Sequence, residues 1–361
     1  MAFGFGFGSR GGCAQDALLF ASLMKRSVAW YDAYFNEAVL FQEAAASTPA
    51  DAPSDPIGAW RDVFARDVAA TTDTAGGRPL LGRTIKGGRT NLLTYTEDFT
   101  NAAYTKINVT PSDDATLTPD GYVAQKIEAT ATAVTQLRYL ATGLAKQEMC
   151  LSFVAMQGSG ADGGSGGRFG IRNATTSIDH FFISLNFTTG VISYPGSVIT
   201  SGATAENLGA GKWRVTMPIS SGFSDGDNVL LYIGWVGTTP TAGTYSYVGE
   251  LMFNEGVAPL PYQRVGSTLD VSRIGVQPIL YAAFDQVDDA LTVTLPDLGD
   301  DATVAYANAT EVVILEDQTI SGTHVLVSPT KLSALIIWDG PLTGAEKATI
   351  RRVLTPRVEA V

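Results

Sequence analysis

The chain has 361 residues, of which 45% are hydrophobic and 38 are glycines, a composition typical of a globular protein with more than one domain. The formal net charge is −12 and no basic patch is present, which argues against a nucleic-acid partner because phosphate binding needs clustered Lys and Arg. The two cysteines, Cys13 and Cys150, are far apart and predict free thiols in a reducing compartment rather than a disulfide framework.

Residues 1–28 are predicted to form an N-terminal anchor arm. Phe3, Phe5 and Phe7 alternate with glycine, so the three rings face one side of an extended chain. A short apolar helix is predicted over Gln15–Ser27. Its apolar run is too short to span a bilayer and no secretory signal precedes it, so we expect no membrane insertion. The arm is expected to pack on another polypeptide or on the body of the chain; a flexible tail is the alternative.

The middle and the C-terminal part of the chain are predicted to form short strands. Between Ala115 and Val265, alternating or short apolar segments are separated by Gly, Asn, Asp and Ser clusters at the spacing of an all-β fold. The C-terminal part adds further strands and then a helix, whose start is marked by the capping-box pattern Thr343–Glu346. The fold class predicted is therefore mainly β.

The stretch Gly88–Thr105 separates the arm and a broken Pro- and Gly-rich segment from these strands. Within it, Arg89–Phe99 (RTNLLTYTEDF) resembles the opening of jelly-roll modules in bacteriophage tail and virion-surface proteins, which are similar to carbohydrate-binding modules. The resemblance continues through five later segments: Val123–Ile127, Leu151–Ala155, Asn207–Val215, Glu250–Gly256 and Pro261–Tyr262. It departs from the pattern at Met252–Asn254, where the modules carry small residues and Gln. The resemblance implies a jelly roll over residues 84–274.

A second resemblance brackets the first. Its segments, in order, are Trp30–Asp32, Leu40–Glu43, Thr48–Ala50, Asp55–Asp62, Arg78–Pro79, Leu280–Val293 and Ser333–Lys347. They resemble phage tail proteins with a concanavalin-like, laminin-G-type sandwich. The resemblance implies a discontinuous sandwich of residues 29–83 plus 275–361, with the jelly roll of residues 84–274 inserted in it. The alternative is that residues 29–83 form a separate arm and 275–361 a small independent domain.

Motifs for enzymatic chemistry lack the context that they require. Gly163–Gly167 has the spacing of a nucleophile elbow, but that motif needs a strand, a tight turn and a helix. His180 and His324 have no His, Cys or Asp partners at metal-ligand spacing. We therefore predict no catalytic residue, no cofactor and no enzymatic activity.

Two kinds of binding residue remain open. Asp285, Asp288 and Asp289 offer hard oxygen ligands that suit Ca²⁺, although Asp is also common in turns because it caps the local backbone. Sugar binding would need exposed aromatic rings, and the candidates are Trp213, Trp235, Tyr232, Tyr194 and Tyr245. Trp213 and Trp235 are expected in the core, and the sequence singles out no glycan-binding residue.

These features favour a non-enzymatic phage virion protein: a surface spike, fibre or tail-tip component assembled in the host cytoplasm. We expect residues 1–28 to hold it to other virion proteins, the sandwiches to contact host surface polysaccharide, and the protein to form a homotrimer. The alternatives are a phage carbohydrate-active enzyme (a depolymerase) or a lectin-like adhesin. A recognisable acidic pair and a β-helix repeat would favour the enzyme, and a signal peptide the adhesin; the sequence shows none of these patterns.

Overall fold

The computed structural model describes residues 14–35, 39–64, 66–72, 74–143, 148–158, 165–234 and 239–360. The chain divides into two compact units. Unit 1 consists of Met1–Gly88 and Gln277–Val361, and unit 2 of Arg89–Val276. The predicted mainly β class is confirmed. The Phe-Gly segment and Cys13 lie outside the described residues.

The elements are as follows. The N-terminal part contains helix α1 (Ala14–Arg26) and strands β1 (Ser27–Asp32), β2 (Leu40–Phe41), β3 (Ala59–Trp60), β4 (Ala70–Thr71) and β5 (Leu80–Thr84). Unit 2 contains β6 (Tyr104–Ile107), β7 (Val109–Leu117), β8 (Val123–Ala129), β9 (Gln136–Ala141), β10 (Met149–Gln157), β11 (Ser165–Asn173), β12 (Ile178–Asn186), β13 (Ile192–Ser193), β14 (Thr204–Gly209), β15 (Lys212–Ile219), β16 (Val229–Tyr232), β17 (Tyr245–Glu255), β18 (Arg264–Ser267) and β19 (Asp270–Ser272). The C-terminal part contains β20 (Ile279–Ala283), β21 (Thr292–Leu295), β22 (Ala302–Ala307), β23 (Val312–Gln318), β24 (Gly322–Val325), β25 (Lys331–Leu332), β26 (Ala334–Trp338) and helix α2 (Gly344–Leu354).

In unit 1, strands from the two ends of the chain pair with each other. β1 pairs antiparallel with β26, β5 with β20, and β4 with β21. The first of these pairings belongs to a four-stranded sheet ordered β1-β26-β22-β23. The sheets of unit 1 therefore contain strands of both halves, and each half completes the sheets of the other.

The four-stranded sheet of unit 1 is buried on both faces, as its nearly continuous apolar strands require. On one face, Tyr31, Leu335 and Ile337 pack into a core that also contains Trp60 and Leu291. The opposite face carries other residues of the same strands, Trp30, Ile336 and Trp338, under the two helices. α2 begins at the predicted capping box, in which Glu346 accepts from the Thr343 amide at 2.7 Å.

The described part of the N-terminal arm packs on its own unit. Phe20, Leu23 and Met24 of α1 are buried, and the Trp338 indole donates to the Leu23 carbonyl at 3.0 Å. Of the two kinds of packing expected for the arm, this helix shows packing on the body of the chain. The physical reason is that its apolar stripe meets an apolar sheet face of the same chain. Among the described residues, no helix is long and apolar enough to cross a membrane.

Removing unit 2 should leave unit 1 able to fold. β5 ends at Thr84, and its direct partner on β20 is Ile279, so the chain leaves and re-enters unit 1 at neighbouring positions. Replacing Arg89–Val276 with a short Gly/Ser linker is therefore expected to cost little loop-closure entropy. Urea unfolding followed by circular dichroism should give one cooperative transition. A product that is unfolded or melts without cooperativity would contradict this prediction.

Unit 2 is a sandwich of two six-stranded sheets. Sheet I has the order β14-β15-β10-β17-β8-β7, and sheet II has the order β13-β12-β11-β16-β9-β6. Alternate residues of each strand fill the core between them. For example, Leu137 and Tyr139 of β9 point inward, whereas Arg138 and Leu140 lie on the outer face. The rings of Phe153 on sheet I and Phe169 on sheet II meet at 4.3 Å in the core.

The RTNLL opening of unit 2 is fixed by one buried side chain, Asn91. Its amide nitrogen donates to the Leu251 carbonyl at 2.9 Å and to the Gln263 carbonyl at 3.0 Å. Its amide oxygen accepts from the backbone amides of Leu93 and Phe253. The Gln263 side chain in turn accepts from the Thr90 amide at 2.7 Å and the Asn91 amide at 3.1 Å. The opening and closing segments of unit 2 are therefore joined through two side-chain amides.

Asn91→Ala should destabilise unit 2 strongly. The substitution leaves buried backbone groups of Leu251, Phe253 and Gln263 without partners, which costs at least about 3 kcal/mol. Urea unfolding should show this loss. The matched control is Asn207→Ala, which removes one exposed bond to the Gly209 amide and should cost about 1 kcal/mol or less. Equal effects of the two substitutions would contradict the role assigned to Asn91.

Candidate functional site

Two of the aromatic candidates for sugar binding are held by the core of unit 2, Trp213 within it and Tyr194 half-buried against it. Trp213 is buried, and its indole donates to the Phe187 carbonyl at 2.8 Å. Tyr194 packs against the core and stacks on Phe181, with ring centroids 6.0 Å apart. The core position expected for Trp213 is thus observed, whereas Trp235 lies outside the described residues.

Tyr232 lies on the outer face of sheet II but is closed to a ligand. Its ring centroid is 5.2 Å from that of Phe182, and the two rings form a small cluster with Leu230. Tyr232 is only 6% exposed. A sugar ring could not stack on it without displacing its neighbours.

Tyr245 is half-buried like Tyr194, but it lies on the outer face of sheet I, away from the core, and it has a companion. Tyr245 and Tyr247 are both half-buried and lie on the outer face of sheet I, because Ser246 and Val248 between and beside them are buried. The two rings meet edge to face, with centroids 5.5 Å apart and planes at 79°. We call Tyr245 and Tyr247 the tyrosine pair. A pair of half-open rings on a rigid strand offers apolar surface at low entropic cost.

Polar groups border the tyrosine pair on the neighbouring strand β8. Glu128 is directly opposite Tyr245, and Lys126 is opposite Tyr247. The Lys126 ammonium binds Glu128 and also lies 4.3 Å from the centre of the Tyr245 ring. The hydrogen bond to Glu128 raises the pKa of Lys126, so this side chain stays a charged donor. The site therefore combines apolar rings with a donor and an acceptor, which is the chemistry that a sugar needs.

The Tyr247 hydroxyl extends this border toward β7. It lies 3.5 Å from one carboxylate oxygen of Asp114, whose other oxygen accepts from the Thr116 hydroxyl at 2.7 Å. Burial raises the pKa of Tyr247, so its hydroxyl remains protonated and can both donate and accept. Tyr247 was not among the candidates for sugar binding that the sequence indicated. The spacing Tyr-Ser-Tyr was the available signal, because alternate residues of a strand share one face.

An acidic pair that sequence patterns did not show lies elsewhere on the outer face of sheet I. Glu250 is 3% exposed and sits in a left-handed conformation, with φ at 51°, where β17 bulges against β10. Arg214 donates to Glu250 at 2.9 Å and to Asp120 at 2.8 Å. Burial raises the pKa of Glu250, whereas the bond from Arg214 lowers the pKa of Asp120. Because both carboxylates bind one guanidinium, we assign them a structural role.

The residues weighed for catalysis are not brought together. Ser165 is the first residue of β11, which runs directly into the hairpin with β12 rather than into a helix. The His180 ring packs at a tilt against Phe223, with ring centroids 5.0 Å apart, and burial lowers the pKa of His180. His324 lies on β24 of unit 1. The buried thiol of Cys150 is free, and burial raises its pKa to about 11.

The three aspartates form one turn of unit 1, between β20 and β21. One carboxylate oxygen of each, from Asp285, Asp288 and Asp289, lies within 4.8 Å of the others. Asp285 accepts from the amides of Val287 at 2.8 Å and of Asp288 and Asp289 at 3.3 Å. The bond from the Val287 amide lowers the pKa of Asp285. With one oxygen from each, these three carboxylates would supply three of the six to eight oxygens that Ca²⁺ takes, and the turn already uses Asp285 as its cap.

The turn role and the cation role make different predictions. Asp285→Ala should lower the melting temperature of the protein by a few degrees, because three backbone amides lose their acceptor. Asp288→Ala, which removes no hydrogen bond of this turn, should leave it nearly unchanged. Melting curves with and without added Ca²⁺ check both. A rise of the wild-type melting temperature with Ca²⁺ that is lost in Asp288→Ala would contradict the turn role and assign a cation site.

Comparison with protein-family models and with curated proteins finds no match. Among solved structures, the chain is similar to the CBM22-1 xylan-binding domain of Xyn10C from Paenibacillus barcinonensis, with 13% identity and a TM-score of 0.29. That similarity covers 48% of this chain and 99% of the domain. The tandem CBM22-1–CBM22-2 domain of the same enzyme has 11% identity and a TM-score of 0.29, with 73% of this chain and 93% of the tandem covered.

A further similar structure is the arabinose-bound MgGH51 α-L-arabinofuranosidase, with 9% identity and a TM-score of 0.29. It covers 48% of this chain, and the chain spans only 26% of that enzyme. The solved structures that are similar to this chain thus include carbohydrate-binding modules.

Proposed function

We propose that the chain is a non-enzymatic structural protein of a bacteriophage virion, and that unit 2 contacts host surface glycans through the tyrosine pair. The observation that carries the glycan part is the accessibility of Tyr245 and Tyr247 on the outer face of sheet I, next to Lys126 and Glu128. Stacking on the rings would hold the apolar face of a sugar, and the charged border would bond its hydroxyl groups.

The resemblance of the sequence to phage tail and virion-surface proteins supports the virion setting. Its motif residues have physical roles: Asn91 joins the ends of unit 2, and Trp60 lies in the core of unit 1. The arm of residues 1–28 would bind other virion proteins through residues other than Phe20, Leu23 and Met24, which are buried on unit 1. Assembly as a homotrimer is part of the proposal, since several copies would multiply weak glycan contacts.

Removing both rings of the tyrosine pair should abolish most glycan binding. If each ring contributes about 1 kcal/mol, the double variant Tyr245→Ala/Tyr247→Ala should bind roughly thirtyfold more weakly. The full chain would be tested by calorimetry against a panel of bacterial lipopolysaccharides and capsular polysaccharides. Tyr34→Ala is the matched control, because Tyr34 is an exposed tyrosine of unit 1.

Two results of this experiment would count against the proposal. Binding that the double variant retains in full would remove the tyrosine pair from the site. Shortening of a polysaccharide during incubation, measured by size-exclusion chromatography, would instead identify the protein as a depolymerase.

A further inference from the structure

The two sheets of unit 2 differ in charge. The six strands of sheet II carry four cationic residues, Lys106, Arg138, Arg168 and Arg172, and a single acidic one, Asp179. The six strands of sheet I carry three cationic residues and six acidic ones. In a chain with a net charge of −12, sheet II is therefore a local region of opposite sign.

The three arginines of sheet II lie on its outer face. Each is an outward neighbour of core residues: Arg138 lies between Leu137 and Tyr139, and Arg168 and Arg172 flank the core positions of β11. All three side chains are half-buried. From strand spacing and rise, Arg138 lies roughly 12 Å from each of the other two. We call Arg138, Arg168 and Arg172, with the apolar residues between them, the arginine face.

The floor between the arginines is apolar and closely packed. Across the strands, Phe182, Gly170, Tyr232 and Arg138 form one row, in which each residue directly opposes the next. A Cβ atom at Gly170 would lie 2.2 Å from the Phe182 ring, so only glycine permits this ring to cross the strand. Leu140, which is 49% exposed, continues the floor beside Arg138. Phe182 and Tyr232 are only 5% and 6% exposed, so this row is closed to a sugar ring, and the side chain of Leu140 is the apolar surface beside Arg138 that a ligand can reach.

The arginines are only partly neutralised by the residues that the structure describes. Arg172 lies 3.3 Å from Asp179 in a half-exposed ion pair. Arg168 donates to the Pro195 carbonyl at 3.1 Å. The Arg138 side chain forms no hydrogen bond or ion pair within the described residues, and its Nε atom is buried. A guanidinium with free donors in a partly desolvated position is well suited to bind a carboxylate by two parallel hydrogen bonds.

We propose that the arginine face binds a carboxylate-bearing polysaccharide, with Arg138 as its principal carboxylate contact. Three arginines whose Cα atoms lie roughly 12–14 Å apart match a ligand with repeated negative charges better than a single anion. The exposed side chain of Leu140 beside Arg138 can contact the C–H groups of a sugar ring, which a compact inorganic ion lacks. This site is on the opposite sheet from the tyrosine pair, so the inference does not depend on the function proposed for that pair.

The test compares one polymer with and without its charges. The full chain would be titrated with polygalacturonate and with the same polymer after methyl esterification of its carboxylates. We expect binding of polygalacturonate that weakens as salt rises, and about tenfold weaker binding of the ester. Arg138→Gln should weaken binding of polygalacturonate about tenfold, because a charged hydrogen bond is lost. The affinity of Arg138→Lys should lie between those of the wild type and Arg138→Gln, because lysine keeps the charge but cannot form the bidentate hydrogen bonds.

The control is Lys212→Gln, which removes one positive charge from sheet I of the same sandwich. It should leave binding nearly unchanged, and thermal melting should show that every variant is folded. Equal binding of the ester and the acid, no binding of either, or equal losses with Arg138→Gln and Lys212→Gln would overturn the assignment. Retention of polygalacturonate binding in Tyr245→Ala/Tyr247→Ala would support a site separate from the tyrosine pair.

Discussion

The buried amide of Asn91 is the interaction on which unit 2 depends. A sandwich whose first segment lies beside its last strand must hold two ends that are far apart in sequence. Asn91 does this with four hydrogen bonds, and Gln263 returns two more to the opening turn. Both side chains are almost fully buried, so each bond forms away from competing water. The strands that carry the two candidate surfaces are positioned within this closed frame.

Unit 1 solves a similar problem by strand pairing. Its two halves are separated by the whole of unit 2 in the sequence, yet three antiparallel pairs join them. The sheet that results is apolar on both faces. It therefore needs the helices on one side as much as the second layer of strands on the other. This requirement explains why α1 is packed on unit 1, where the Trp338 indole fixes it through the Leu23 carbonyl.

The outer faces of unit 2 follow from the two-residue period of a strand. Because Leu137 and Tyr139 are buried in the core, Arg138 between them must face outward. Because Val248 is buried, its neighbour Tyr247 must also face outward. The same period separates charges between the sheets. Sheet I gathers carboxylates beside its tyrosine pair, whereas sheet II gathers arginines around an apolar floor. Two chemically different surfaces thus arise from one sandwich without any loop being required.

The sequence by itself determined the mainly β class, the cap of α2 at Thr343 and Glu346, and the core position of Trp213, because each depends on local pattern or on hydrophobicity. Tertiary structure alone decided which tyrosine is open. Tyr232 and Tyr245 look alike in sequence, but Phe182 packs on the first, whereas the second keeps a half-exposed ring. Tertiary structure also decided that α1 packs on its own unit and that Arg214 joins Glu250 to Asp120. Such outcomes depend on which residues distant in sequence become neighbours, and periodicity within a single strand or helix carries no information about that.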